Sequence, residues 1–179
     1  MTQNTEEDFT LAIPEGDDRQ RRICNTCGFI DYRNPRIVAG SVVVSEDGRI
    51  LLCKRAIEPR RGFWTLPAGF MELGETVEEA AMREAQEEAC ADIRINGLLA
   101  TYSVPRIGQV QIMFRATLES EIAPGPESLE TELVAWKDIP WSQLAFPTVV
   151  WALTHYSETR QQDSFVPFSN PPQTARITR

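Results

Sequence analysis

Two apolar, β-branched runs, Ile37 to Val44 and Arg49 to Arg55, flank Glu46-Asp47-Gly48 and predict a β-hairpin. A short run from Phe63 to Leu66 predicts a further strand, which leads through Pro67-Ala68-Gly69 into a polar loop. From Val77 to Ala91 there is no Gly or Pro, and the Ala, Glu, Met and Arg content favours a helix. Thr76 followed by Glu79 supplies a capping box at its start. Ile93 to Val104 and Gln109 to Leu118 predict two more strands joined by Pro105-Arg106-Ile107-Gly108. Glu119 to Glu132 reads as a loop and Leu133 to Trp136 as a strand. Pro147 suits the first turn of a last helix, with Val150, Trp151, Leu153, Thr154 and Ser157 on its facing side. Strands that outnumber two helices in this order predict the α/β class, a mixed sheet between helices.

The ends read differently. Residues 1 to 18 are polar, with Phe9, Leu11 and Ile13 for burial, and no ordered start is expected there. Cys24-Asn25-Thr26-Cys27-Gly28 forms a short cysteine knuckle. Residues beyond 161 carry three prolines after position 166 and read as a tail. The expected organisation is an N-terminal segment over residues 1–35, a main domain over 36–160 and a C-terminal tail over 161–179.

The predicted helix carries an anomaly. At about 100° per residue, Val77, Ala80, Ala81, Ala85 and Ala91 fall on one apolar face. Glu84 and Glu88 land in the middle of that face, and Glu87 at its edge beside Arg83. A surface helix places its acids on the opposite side. A solvated acidic face is the common explanation of Glu-rich helices, but it does not account for Glu84 and Glu88. Burying two unpaired carboxylates costs several kcal/mol each, and a divalent cation is the economical counter-charge.

Composition narrows the field. With 179 residues, 42% hydrophobic and 25% charged, the chain is ordinary for a globular protein with one full core. Its net charge of −8 argues against a general nucleic-acid binder, which shows a basic footprint. No apolar run approaches a membrane span, and the first residues are polar and acidic, unlike a signal peptide. Four cysteines without a paired framework agree with a reducing compartment. A cytoplasmic enzyme follows as the expectation.

Gly69, Glu75, Arg83, Glu84, Glu87 and Glu88 stand at the fixed spacing Gly-x5-Glu-x7-Arg-Glu-x2-Glu-Glu. This resembles the Nudix box, and a pattern with so many fixed positions is a specific signal. Two departures are visible. Cys90 occupies the place of the second glycine, and the aliphatic positions hold Ala85 and Ala91. The first bears on how the helix ends, since glycine best adopts the left-handed turn. Neither touches a metal-binding carboxylate. The resemblance implies an α/β/α sandwich and hydrolysis of a diphosphate across Mg²⁺ or Mn²⁺. Glu84, Glu87 and Glu88 would be metal ligands, with a carbonyl of Gly69 or Ala68 in reach. Glu75 and Arg83 would form an orienting pair, with direct phosphate contact by Arg83 as the alternative.

Such enzymes draw a general base from the box or from an acidic loop before a late strand. Here that loop offers Glu130 first and Glu127 next, with Glu132 beyond. For substrate, Arg55, Arg61 and Arg106 are candidate phosphate contacts and Trp64 a candidate stacking face, near Lys54, Arg60 and Phe63. The alternative for Trp64 and Phe63 is a place in the core.

Beyond the box, Ile13-Pro14-Glu15-Gly16-Asp17, the knuckle, Asn34-Pro35, Leu52-Cys53-Lys54-Arg55, Trp64-Thr65-Leu66-Pro67-Ala68-Gly69 and Pro124-Gly125-Pro126-Glu127-Ser128-Leu129-Glu130 resemble one Nudix subgroup. That subgroup includes FAD and ADP-ribose pyrophosphatases, and an earlier cysteine knuckle usually precedes its Ile-Pro-Glu-Gly-Asp segment. Residues 1–12 hold no cysteine, so Cys24 and Cys27 supply half of a four-ligand zinc site. A remnant knuckle folded without metal is one reading, and bound Zn²⁺ the other.

The expected reaction is cleavage of FAD to FMN and AMP, or of ADP-ribose to AMP and ribose 5-phosphate. Alternatives are NADH, whose Ser-Gln-Pro-Trp signature is absent, a nucleoside triphosphate, or a non-catalytic nucleotide sensor. The resemblance also implies a homodimer, a small-molecule substrate, and no nucleic-acid or membrane partner.

Overall fold

The computed structural model describes residues 8–162 and 164–172, and divides the chain into two compact units, residues 1–35 and 36–179. The first is a small antiparallel sheet of β1 (Phe9–Ala12), β2 (Arg21–Cys24) and β3 (Ile30–Asp31). A tight turn carrying Gly16 lets β1 pair along β2, from Phe9 opposite Cys24 to Ala12 opposite Arg21. Thus Phe9–Ala12 is ordered strand, against the expectation for residues 1–18; residues 1–7 lie outside the described residues. Pairing partners nine to fifteen residues on, invisible to a local reading, make the difference. Two arginines brace the unit: Arg21 pairs with Asp17 at 2.7 Å, and the Arg22 guanidinium lies 4.7 Å from the centre of the Phe9 ring.

The second unit is built on β4 (Arg36–Val44), β5 (Ile50–Arg55), β6 (Trp64–Thr65), β7 (Ala68–Phe70), β8 (Ile93–Val104), β9 (Gln109–Leu118) and β10 (Ser128–Val134). The sheet order is β10-β5-β4-β9-β8; β4 and β9 run parallel and the remaining pairs antiparallel. The predicted hairpin is present, but β4 and β5 pair only at Val44 and Ile50 before diverging. Beyond that point β7 pairs with β4 and β6 with β5. The divergence brings the Ala68-Gly69 segment into the sheet in front of the box helix.

Alternation along the central strands serves both faces. Val42, Ile50, Leu52, Tyr102 and Met113 pack toward helix α2 (Pro147–Thr159), with Val149, Ala152 and Leu153. Val43, Leu51, Cys53 and Ala116 pack on the other face, against Ala85 and Ala89 of helix α1 (Val77–Ala89). Ala80 and Ala81 meet Ala39 and Phe114 further along. The sandwich with a mixed sheet and two helices agrees with the sequence reading.

Three local expectations are corrected. β10 begins at Ser128, so much of the predicted loop is strand, and Trp136–Asp138 is a 3-10 turn. This edge strand carries Glu130 and Glu132, and charge on an edge hides its strand character from a hydrophobicity pattern. In α2 the buried residues are Thr148, Val149, Ala152, Leu153, His155 and Thr159, while Thr154 is exposed with its hydroxyl donating to the Val150 carbonyl. Finally, the described part of the expected tail is docked. The Phe168 N–H donates to the Leu99 carbonyl at 2.9 Å, and its carbonyl accepts from the Thr101 N–H at 3.0 Å. The Asn170 amide likewise bonds both backbone groups of Ser103, at 2.8 Å each. Residues 164–172 are thereby held along the free edge of β8. Residues 173–179 lie outside the described residues. Among the described residues no helix is long and apolar enough to cross a membrane.

Candidate active site

Helix α1 delivers the box carboxylates. The capping box is formed: the Glu79 N–H donates to the Thr76 hydroxyl at 3.2 Å, and the Thr76 N–H to the Glu79 carboxylate at 2.7 Å. The helix therefore starts where predicted and turns Ala80, Ala81, Ala85 and Ala89 toward the sheet. On the same face Glu84 and Glu88 are carried inward, and retain only 8% and 5% exposure. The anomaly read in the sequence is a real burial of two carboxylates.

Arg83 organises the exposed side of this cluster. Its Nε and Nη2 grip the two carboxylate oxygens of Glu75 at 3.0 and 2.9 Å, a fork geometry that only arginine offers. Nη2 also donates to the Phe70 carbonyl, and Nη1 donates to Glu84 at 2.8 Å and to Glu87 at 3.0 Å. These bonds raise the Arg83 pKa, with the Glu75 hydrogen bond as the leading cause. The same bond, aided by the Glu72 N–H, holds Glu75 down to about 2. Glu75 and Arg83 thus form a bidentate ion pair at the mouth of the cluster.

The carboxylates deeper in the site are not balanced in this way. Glu84 is shifted upward because burial outweighs the Arg83 hydrogen bond. Burial, then the Glu84 charge, pushes Glu88 up to about 8. The Ala68 N–H donates to Glu88 at 3.3 Å, and the charge of Arg55 opposes the shift without cancelling it. Gly69 completes the pocket: a Cβ at this position would collide with the Glu84 carboxylate. Gly69 thus faces the Glu84 carboxylate, while the neighbouring Ala68 N–H meets Glu88.

Not all predicted ligands converge. Glu87 turns outward to Arg83, its side chain 56% exposed. Among the described residues no group of three or more His, Cys, Asp or Glu is gathered as a metal cluster. The donor chemistry of Glu84 and Glu88 nevertheless fits a hard divalent cation, since both are oxygen donors whose burial leaves an excess of negative charge. Glu84 and Glu88 would hold such an ion.

The acidic loop is pinned onto the end of α1. The Ala123 N–H donates to the Ala89 carbonyl at 2.9 Å and the Gly125 N–H to the Glu88 carbonyl at 3.1 Å, capping open helix carbonyls. A Cβ on Gly125 would strike the Glu87 carbonyl, so this contact requires glycine. The pin brings the charge of Glu127 to bear on both Glu84 and Glu88. Glu130, the first choice for a base, instead pairs with Lys54 at 2.9 Å and is 58% exposed. In the sequence Gly125 was legible only as loop punctuation between two prolines.

Of the candidate substrate contacts, Arg55 is the arginine whose charge tells on Glu88. It also donates to the Pro59 carbonyl and lies 5.2 Å from the centre of the Phe146 ring. Arg61 is exposed on the β5–β6 loop, and Arg106 is exposed in the Pro105–Ile107 turn. Trp64 is corrected: at 7% exposure it belongs to the core beside Leu66 and Val134, so its face is not offered to a ligand. Cys90 is exposed because the helix ends at Ala89 and leaves it as the cap.

Residues 34–158 match the NUDIX domain model, and residues 7–33 match the Nudix N-terminal zinc-ribbon model. An ADP-ribose pyrophosphatase from Methanocaldococcus jannaschii is 35% identical over 120 residues, 64% of this chain and 69% of that protein. An NAD-capped RNA hydrolase NudC from Stutzerimonas stutzeri is 32% identical over 108 residues, 60% of this chain but only 38% of its own length. The crystal structure of a NUDIX hydrolase from Nitrosomonas europaea superposes with a TM-score of 0.83 at 45% identity, over 90% of this chain and 93% of that one. The chain belongs to the Nudix family, as a Nudix pyrophosphohydrolase. Its box keeps every charged position of the pattern, and the arrangement of Glu75, Arg83, Glu84 and Glu88 is the local structure those positions build.

Proposed function

We propose that this chain hydrolyses the diphosphate linkage of an ADP-ribose- or NAD-type dinucleotide, FAD included, with Mg²⁺ or Mn²⁺. The observation that carries the reading is the pair of buried carboxylates, Glu84 against Gly69 and Glu88 at the Ala68 N–H, with too little positive charge to balance them. The names of the archaeal and NudC relatives support the substrate class.

Glu84 and Glu88 would hold a divalent cation, which would supply charge neutralisation for the diphosphate and a lowered pKa for its water. The chain's own residues do the rest. Arg83 keeps Glu84 oriented while Glu75 fixes Arg83 in turn. Arg55, beside Glu88, receives the anionic diphosphate. Glu127, on the loop held by Gly125, takes the proton of the attacking water. Glu87, paired to Arg83 here, remains available at the outer edge of the site.

Product analysis by chromatography tests this. Pure protein with Mg²⁺ is incubated separately with FAD, ADP-ribose, NADH and a nucleoside triphosphate. AMP together with FMN, ribose 5-phosphate or the reduced nicotinamide mononucleotide is the expected outcome. Binding of these nucleotides without cleavage would replace the enzyme with a nucleotide sensor.

A further inference from the structure

The N-terminal unit matches a zinc-ribbon model, yet its side chains do not make a zinc site. Structural zinc takes four ligands, mostly thiolate and imidazole. Residues 1–23 contain neither cysteine nor histidine. Among the described residues no third His, Cys, Asp or Glu joins Cys24 and Cys27 as a metal cluster. The remaining candidates belong to the second unit: Cys53 lies in the core on the α1 face, His155 is buried against Tyr102, and Cys90 caps α1.

What survives is a well-formed dithiol. The Cys24 N–H donates to the Phe29 carbonyl at 2.8 Å and the Gly28 N–H to the Cys24 carbonyl at 2.9 Å, closing the knuckle. Gly28 has φ of +73°, which lets the chain reverse immediately after Cys27. Cys24 and Cys27 stand at the two ends of one four-residue segment inside this closed turn. Cys24 is buried and Cys27 exposed. One thiol is accessible to a reagent, and the other is enclosed in the same turn.

We propose that Cys24 and Cys27 form a redox site that closes to an intramolecular disulfide by exchange with a low-molecular-weight disulfide of the glutathione class. The Cys27 sulfur, as thiolate, attacks one sulfur of the small disulfide, forming a mixed disulfide and releasing the first small thiolate. The Cys24 thiolate then attacks the Cys27 sulfur and expels the second small thiolate. The two protons lost by the protein thiols end on the two released thiolates. The protein gives up two electrons, and the small disulfide takes them. The Cys-x-x-Cys spacing within one closed turn, with one thiol exposed and the other enclosed, is what such an exchange needs.

The experiment uses the full chain carrying Cys90→Ser, which removes the other exposed thiol, in glutathione buffers of graded ratio. Intact mass and peptide mapping are read after acid quenching. The expected result is a Cys24–Cys27 disulfide, two hydrogens lighter, with Cys53 still reduced. Adding Cys24→Ser should trap a glutathione adduct on Cys27, and adding Cys27→Ser should leave Cys24 unmodified. A stable glutathione adduct on Cys27 when both thiols are present would overturn the proposal. So would one tightly bound zinc per chain, by native mass, protecting both cysteines from alkylation. Where a serine variant fails to fold, the mass of the Cys90→Ser protein alone still decides between disulfide, adduct and zinc.

Discussion

The Glu84 carboxylate occupies the space that a side chain at Gly69 would fill. The box glycine and the box glutamate are therefore one steric unit, although fifteen positions separate them in the sequence. Gly69→Ala must displace either the β7 backbone or Glu84. A shift of this size in a catalytic constellation costs about 100-fold in rate. Steady-state kcat should fall by that order with the circular-dichroism spectrum unchanged; full activity would mean that Glu84 moves freely and has no fixed role.

Glu88→Gln removes a buried carboxylate that has little counter-charge. Turnover should drop ~100-fold or more, as expected for loss of an electrostatic group at the reaction centre. Stability should move the other way. In the metal-free wild type, the Glu88 pKa stands near 8 against an ordinary value of 4.5. Between those values the folded state holds a proton that the unfolded state has released. Stability therefore falls as pH rises from about 4.5 toward 8 and then levels. Thermal melts in chelator should follow this slope in wild type and lose much of it in Glu88→Gln, while added Mg²⁺ should raise the wild-type melting temperature at pH 8.

Cys90 ends α1 in the left-handed region, with φ 49° and ψ 30°. Its N–H donates to the Gln86 carbonyl at 2.9 Å, and the Ala91 N–H donates to the Ala85 carbonyl at 3.2 Å. The helix thus closes as the glycine-terminated pattern would, but with a Cβ in a disfavoured conformation. Cys90→Gly should stabilise the protein by about 1 kcal/mol. Urea denaturation would show this as a higher midpoint at constant slope; an unchanged or lower midpoint would mean that the thiol contributes packing worth more than the strain.

Phe168 stacks on His155 with ring centres 4.1 Å apart, and the His155 Nδ1 lies 2.7 Å from the Tyr102 hydroxyl. Burial lowers the His155 pKa below its usual 6.5. The sign follows: neutral His155 contributes stability above pH 6.5, and that contribution is lost as pH falls through its lowered folded value. Acid should therefore loosen residues 164–172 early, seen as faster amide exchange at Thr101 and Phe168. Phe168→Ala should cost ~2 kcal/mol and make this segment protease-sensitive at neutral pH.

Helix α1 and the burial of its two acids were legible in the sequence because local rules determine them. The capping box, the absence of Gly and Pro and the position of Glu84 and Glu88 on an apolar face all depend on residues within one helical segment. The hairpin and the long strands were legible for the same reason: β-branched runs and turn residues act over short range. Tertiary structure decided what depends on partners distant along the chain. Trp64 is core because it joins a cluster with Val134, Ile139 and Leu153, all distant along the chain, although Arg60 and Arg61 lie just before it. Glu127 rather than Glu130 acts on the box because Gly125 packs against the Glu87 carbonyl. Residues 164–172 are ordered because the β8 edge has unpaired backbone groups to offer, which no property of Phe168 or Asn170 alone reveals. Side-chain pattern sets each element locally, whereas the meeting of elements is a property of hydrogen-bond and packing partners that only the folded chain brings together.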